Sequence, residues 1–325
     1  MNVVPLLEID HLEIMAPAGA VVSDVGFSVG RGEIVCVVGE SGCGKSLTAL
    51  AVLDLLPQGL KITGGDLRFE GKDVRSGEAR RLLRGRSVGM IFQEPATALN
   101  PVYTIGFQIG EMLPDLSRSM RRERIAELLD RVGLPPATAA SYPHQLSGGM
   151  KQRAMIAMVL AGKPRLLICD EPTTALDPTV GAQILSQIRA LAGVGTPACV
   201  GTPEDKGSTG DEGLGVLLIT HDFHAVSRMQ GKIVVMYAGQ VVERGPVDEV
   251  LGTPAHPYTR ALLDTLPKKG RPPGSIPGQE PPPGRRPPGC PFANRCAVGR
   301  ENCEREPPPW RDAGQAHRVR CWLEC

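Results

Sequence analysis

The stretch Gly39-Glu40-Ser41-Gly42-Cys43-Gly44-Lys45-Ser46 fits the pattern GxxxxGK[ST]. It lies between an apolar run at 34–38 and a helical pattern at 47–56. That context leaves few folds open. Glycines let successive backbone N–H groups turn inward at a helix N-terminus and surround a phosphate. Lys45 then supplies charge for β- and γ-phosphates, and the Ser46 hydroxyl a ligand for Mg²⁺. The pattern predicts a strand–loop–helix unit that holds a phosphorylated ligand.

From residue 6 to about 250, strand-like apolar runs alternate with helical patterns, which predicts an α/β domain with a largely parallel sheet. The clearest strands are at 33–38, 87–92, 166–169, 216–220 and 233–237. The region 97–145 reads differently. Its segment 121–132, RRERIAELLDRV, carries apolar residues at helical spacing before the Pro135-Pro136 break, and is expected to be a helical insertion. The strand 166–169 runs into Asp170 and Glu171. A parallel strand puts such residues at its C-terminal edge, where open α/β sheets bind ligands. Asp170 suits Mg²⁺ coordination and Glu171 suits polarising an attacking water. Cys169, inside the strand, reads as a small core residue.

Composition narrows the function classes. Net charge is +1 and aromatics are 4%, so neither a polyanion-binding surface nor a base-stacking one is expected. The N-terminus has no basic segment followed by an apolar core, and no run approaches the ~18–20 apolar residues of a membrane span. A cytosolic setting is therefore expected, where disulfides are rare. Of nine cysteines, Cys290, Cys296, Cys303 and Cys321 cluster near the C-terminus, with Cys325 beyond as a spare thiol. Such clustering points to metal or cluster ligation. Glycine (39) and proline (30) exceed average usage, and the excess is carried by a turn-rich insertion at 193–215 and an extended linker at 268–289.

The most diagnostic stretch is Leu146-Ser147-Gly148-Gly149, just before a helical pattern. Ser147 can cap that helix while the glycine amides and the helix dipole face a phosphate. With it, the chain resembles the ATP-binding subunits of ABC transporters. The resemblance implies an α/β fold of the P-loop NTPase (ABC) type with a helical subdomain, and ATP and Mg²⁺ as ligands. It also implies a head-to-tail dimer in which Ser147, Gly148 and Gly149 face the γ-phosphate held by the opposite subunit. Gln93 matches the glutamine that senses Mg²⁺ and the attacking water, which makes Ser46, Gln93 and Asp170 the Mg²⁺ set. Ala175-Leu176-Asp177 is similar to the motif at the dimer seam, and His221 to the switch histidine on the γ-phosphate. Glu171, His221 and Gln93 are the implied catalytic residues. One departure stands out: His11-Leu12-Glu13-Ile14-Met15-Ala16 lacks the aromatic on which the family stacks adenine, which leaves two readings open, Met15 packing against the ring through its sulfur or weaker, less base-selective binding.

The segments 92–106, 171–177 and 235–239 resemble the peptide-importer branch, and His256-Pro257-Tyr258 matches the opening of its C-terminal extension. By itself, His-Pro-Tyr reads as a proline-bounded turn before a short helix. The expected division is an ATPase domain at 1–250, with the helical insertion at about 97–148, and an extension with the cysteine cluster at 251–325. Gly289-Cys290-Pro291-Phe292 followed by Arg295-Cys296 is similar to the pattern that introduces a [4Fe–4S] cluster in some dipeptide-importer ATPases. From spacing alone, Zn²⁺ or no metal remain open. The implied function is ATP hydrolysis coupled to uptake of dipeptides or oligopeptides at the cytoplasmic face of the plasma membrane. Implied partners are a second, related ATPase, two permeases and, indirectly, an extracytoplasmic binding protein, with no nucleic acid. A nickel-complex importer, a non-transport ABC ATPase and a cluster-based redox module are the alternatives.

Overall fold

The computed structural model describes residues 4–174, 176–193, 213–266, 274–282 and 284–323. Most of the insertion at 193–215, along with Ala175 and Cys325, lies outside the described residues. In chain order the elements begin with β1 (Leu7–Ala16), β2 (Gly19–Val29), β3 (Ile34–Val38), α1 (Lys45–Val52), β4 (Lys61–Phe69) and β5 (Lys72–Asp73). Next come α2 (Gly77–Leu83), β6 (Val88–Ile91), α3 (Pro95–Ala98), α4 (Ile105–Glu111), α5 (Arg118–Arg131) and α6 (Gly148–Ala161). β7 (Leu166–Asp170), α7 (Pro178–Leu191), β8 (Gly215–Ile219), α8 (Phe223–Met229), β9 (Lys232–Tyr237) and β10 (Gln240–Pro246) follow. The chain closes with α9 (Val247–Gly252), α10 (Pro257–Asp264), α11 (Glu301–Arg305), β11 (Trp310–Asp312) and β12 (Arg318–Arg320). Two compact units result. One comprises Met1–Val29, Ile34–Gly77 and Ile219–Cys325, the other Gly30–Glu33 and Glu78–Leu218.

The first unit contains an antiparallel sheet in the order β2-β1-β4-β5, which the alternating strand–helix reading does not predict. Leu7 and Ile9 are buried, and so are Leu12 and Ile14, but the step from Ile9 to Leu12 is three residues. A strict period of two would turn the second pair to the other face. A register shift at this point, with His11 at φ 48°, absorbs the odd residue and keeps all four on one side. The same unit holds a mixed sheet. β3, buried along its whole length, pairs in parallel with β9, β9 pairs antiparallel with β10, and β10 with β12 of the C-terminal hairpin. The extension thus adds strands to the sheet that carries the 39–46 loop.

In the second unit β6 and β7 are parallel, with Ile91 opposite Cys169. Within 97–148 the structure places α4 and α5, and α6 follows from Gly148. α5 is capped by Ser117, which accepts the Met120 N–H, and it buries Ile125, Leu128 and Leu129 at helical spacing. The described residues of 274–289 form neither helix nor strand, as an extended linker should, yet they are fastened to their own unit. Arg286 donates to the Ala20 carbonyl at 3.1 Å, and Glu280 accepts the Ala238 N–H at 2.9 Å.

Candidate nucleotide site

β3 delivers the chain directly into the 39–46 loop, and α1 begins at Lys45. Gly39, at φ 153°, has no room for a side chain, because a Cβ there would run into the Met236 carbonyl. Gly44 caps α1 in the left-handed region at φ 100°, a conformation that favours glycine. Gly42 stands in open space. Lys45 is buried, and its Nζ donates to the carbonyls of Gly39 at 2.9 Å and Glu40 at 2.8 Å. Burial pushes the Cys43 thiol up to about 11, so this loop cysteine is held as a neutral thiol. Ser46 follows Lys45 on the first turn of α1. The loop is therefore a glycine-rich turn at a helix N-terminus with one buried ammonium beside it, suited to a polyphosphate.

His221 belongs to the same unit. It is exposed and follows Thr220, whose N–H donates to the Val37 carbonyl of β3 at 3.1 Å. Met15 is partly exposed near the end of β1.

The second unit carries the other predicted residues. Because Ile91 faces Cys169 across β6 and β7, Gln93 and Glu171 leave neighbouring strand ends, each two residues further on. Asp170 is the last, buried residue of β7. Glu171 takes φ 46°, a rare conformation for a residue other than glycine, and its Oε2 accepts the Thr174 hydroxyl at 2.8 Å. Ser147 caps α6 by accepting the Met150 N–H at 3.3 Å, as the sequence predicts. Gly148 is exposed at the first turn of α6, and Gly149 lies against α7, where a Cβ would sit 2.6 Å from Val180 Cγ1. Asp177 caps α7, its Oδ1 accepting the N–H groups of Thr179 and Val180, both at 3.0 Å.

Residues 22–174 match the family model for ABC transporters, and residues 242–303 match that for the oligopeptide/dipeptide transporter C-terminal region. A peptide import ATP-binding protein of Brucella ovis is 42% identical over 348 residues, covering 98% of each chain. The dipeptide transport ATP-binding protein of Escherichia coli K12 is 42% identical over 331 residues, covering 97% of this chain and 96% of its own. The chain is an ABC transporter ATP-binding subunit. Among solved structures, a component of the CbiONQ ABC transporter complex of Clostridium perfringens aligns with a TM-score of 0.64 at 25% identity, over 77% of this chain and 91% of its own. An ATP-binding cassette solved as a dimer in a post-hydrolysis state with ADP and Pi aligns at 0.61 and 25%, over 74% and 98%. As an ABC ATPase the chain hydrolyses ATP with Mg²⁺, and the glycine loop and buried Lys45 fit that pair of ligands.

In this ABC subunit the extension reaches the phosphate loop, which no sequence motif announces. The His-Pro-Tyr segment is indeed a proline-bounded helix start. The His256 Nδ1 accepts the Tyr258 N–H at 3.0 Å, with Pro257 in the first turn of α10. Burial holds this imidazole neutral by lowering its pKa to about 3, with the charge of Arg260 adding to the shift. A neutral ring is what an acceptor at Nδ1 requires. Tyr258 then sends its hydroxyl to the loop, where Oη accepts the Glu40 N–H at 2.9 Å. Arg295, quoted in the cysteine pattern without a role of its own, forms a bidentate pair with the Glu40 carboxylate at 2.7 and 3.0 Å. Buried Glu243 of β10 accepts the Ala255 and His256 N–H groups at 2.6 and 3.1 Å and meets His317 Nε2 at 2.7 Å.

Cys290, Cys296, Cys303 and Cys321 line one small cavity together with Phe292 and Trp322. Burial pushes the Cys290 thiol up to about 12 and raises Cys296 as well. Among the described residues, no three His, Cys, Asp or Glu side chains converge as a single metal ion requires. No described helix is long and apolar enough to cross a membrane.

Proposed function

We propose that this chain is the ATPase subunit of a peptide importer, working on the cytoplasmic face of the membrane beneath two permeases and paired with a related second ATPase. The relation to dipeptide and peptide import proteins over almost the whole chain, extension included, carries this reading. An exposed apolar cluster beyond Gln93 supports the permease contact. Val102, Tyr103 and Phe107 are each 44% or more exposed, and the two rings stack at 4.5 Å between centroids. In this reading the 39–46 amides and Lys45 bind the phosphates, while Ser46, Asp170 and Gln93 hold Mg²⁺. Glu171 accepts a proton from the attacking water and His221 steadies the γ-phosphate. Ser147, Gly148, Gly149 and Asp177 complete the partner's site. Mg²⁺ supplies neutralisation of the charge that develops on the phosphates. Co-expression with the permeases should yield a complex whose ATPase activity rises with a peptide-loaded binding protein. Stimulation by nickel complexes but not peptides, or purification without any permease, overturns the assignment.

The four cysteines form a donor set for a [4Fe–4S] cluster, which takes one thiolate per iron. Zn²⁺, which takes four ligands about 2.0–2.3 Å from one point, is the alternative occupant of the same four thiols. Binding would release protons from thiols that burial otherwise keeps neutral. Anaerobically purified protein is expected to hold about four irons per chain and to show broad visible absorbance. Colourless, iron-free protein, or protein holding stoichiometric zinc instead, defeats the cluster reading.

A further inference from the structure

Every polar group of Glu40 is engaged, and two of its three links lead to the extension. Its N–H is held by Tyr258 and its carboxylate by Arg295, while its carbonyl is one of the two on which Lys45 Nζ rests. Arg295 has little freedom to leave. Its side chain is 4% exposed, against 29% for Glu40. The guanidinium also donates to the carbonyls of Pro277 at 2.9 Å and Ile276 at 3.3 Å, and to Tyr237 Oη at 3.2 Å. It lies 5.7 Å from the Tyr237 ring centre and 5.9 Å from that of Phe292.

The charge arithmetic is unusual for a loop that binds a polyanion. Glu40 puts a carboxylate on the phosphate-binding loop, and the Glu280 carboxylate is near enough to feel its charge. A carboxylate near a triphosphate opposes binding unless a cation answers it, and at partly buried sites that opposition is weakly screened. Lys45 cannot serve both roles, because it is needed at the phosphates. Arg295, in its bidentate pair with Glu40, is placed to answer it.

We propose that Arg295 is a positioning residue for ATP: it neutralises the carboxylate that the phosphate loop carries at Glu40 and, with Tyr258, fixes the carbonyl on which Lys45 rests. ATP affinity is thereby set by the C-terminal extension. The inference depends on the reading of 39–46 as the nucleotide site.

The test is the affinity of the full-length chain for MgATP, measured by titration calorimetry. Arg295→Met should weaken binding about 10-fold, and Arg295→Lys, which keeps the charge but not the fork, about 3-fold or less. In the double variant Arg295→Met/Glu40→Gln, affinity should return to within about 3-fold of the parent, since the unanswered charge is gone. A purely structural role for Arg295 would give no such rescue. An affinity for Arg295→Met within about 2-fold of the parent, or a double variant no better than the single, overturns the proposal. Should Arg295→Met fail to fold, Glu40→Gln alone decides: parent-like or tighter binding supports the proposal, and a loss of about 10-fold overturns it. Lys45→Ala serves as the control. Parent-like binding in that variant removes the nucleotide site and this inference together. Loss of binding in Lys45→Ala with no change in Arg295→Met overturns the inference alone.

Discussion

Glu171→Gln should bind MgATP as the parent does and hydrolyse it roughly 10² to 10⁴-fold more slowly, the usual worth of a positioned general base. The geometry explains why so small a change has so large an effect. β7 is buried over its length and ends at Asp170, so the chain emerges rigidly at Glu171. There the backbone adopts φ 46°, and the Thr174 hydroxyl fixes Oε2 at 2.8 Å. An amide in place of the carboxylate keeps the shape and can still accept from Thr174, but it cannot take a proton from water. Closed, ATP-bound dimers should accumulate, because ATP then holds the two subunits together and is not consumed. Turnover in the variant within about 10-fold of the parent would remove Glu171 from the base role.

Glu243→Leu should destabilise the chain by about 3–5 kcal/mol. Glu243 is fully buried in β10, and its two oxygens serve the Ala255 N–H, the His256 N–H and His317 Nε2. Leucine fills similar space but accepts nothing, so buried donors from two segments of the extension lose their partner at once. The cost then falls on the segment that positions Tyr258. Urea denaturation of the full chain measures it, and a difference below about 1 kcal/mol would show that water replaces the carboxylate. Glu243→Gln, which keeps one acceptor, should fall between the two.

The sequence is most legible where chemistry is local. The glycine loop, the Ser147 cap and the strand ending in Asp170 each put donor, acceptor and backbone geometry within a few residues, so pattern and structure coincide. The antiparallel sheet is harder to read because the Ile9 to Leu12 step breaks the period of two that marks a strand. Only the partner strand supplies the register that makes the bulge sensible. β11 and β12 have three residues each, too few for any periodicity to register. The pair of Glu40 and Arg295 joins residues 255 apart in sequence, and neither end is unusual by itself. The linker at 274–289 looks loose because it is rich in glycine and proline. It is tied down by contacts of Glu280 and Arg286 and by Arg295 on the Ile276 and Pro277 carbonyls, which composition does not reveal.

β12 pairs with β10 through Glu243 opposite Val319 and Arg244 opposite Arg318. Without this short strand, β10 would present an unpaired ladder of N–H and carbonyl groups beside a buried carboxylate. A sheet border of that kind recruits strands from other molecules. Shortening this protein to its ATPase portion, residues 1–250, would leave a sticky border where the native chain has a hem.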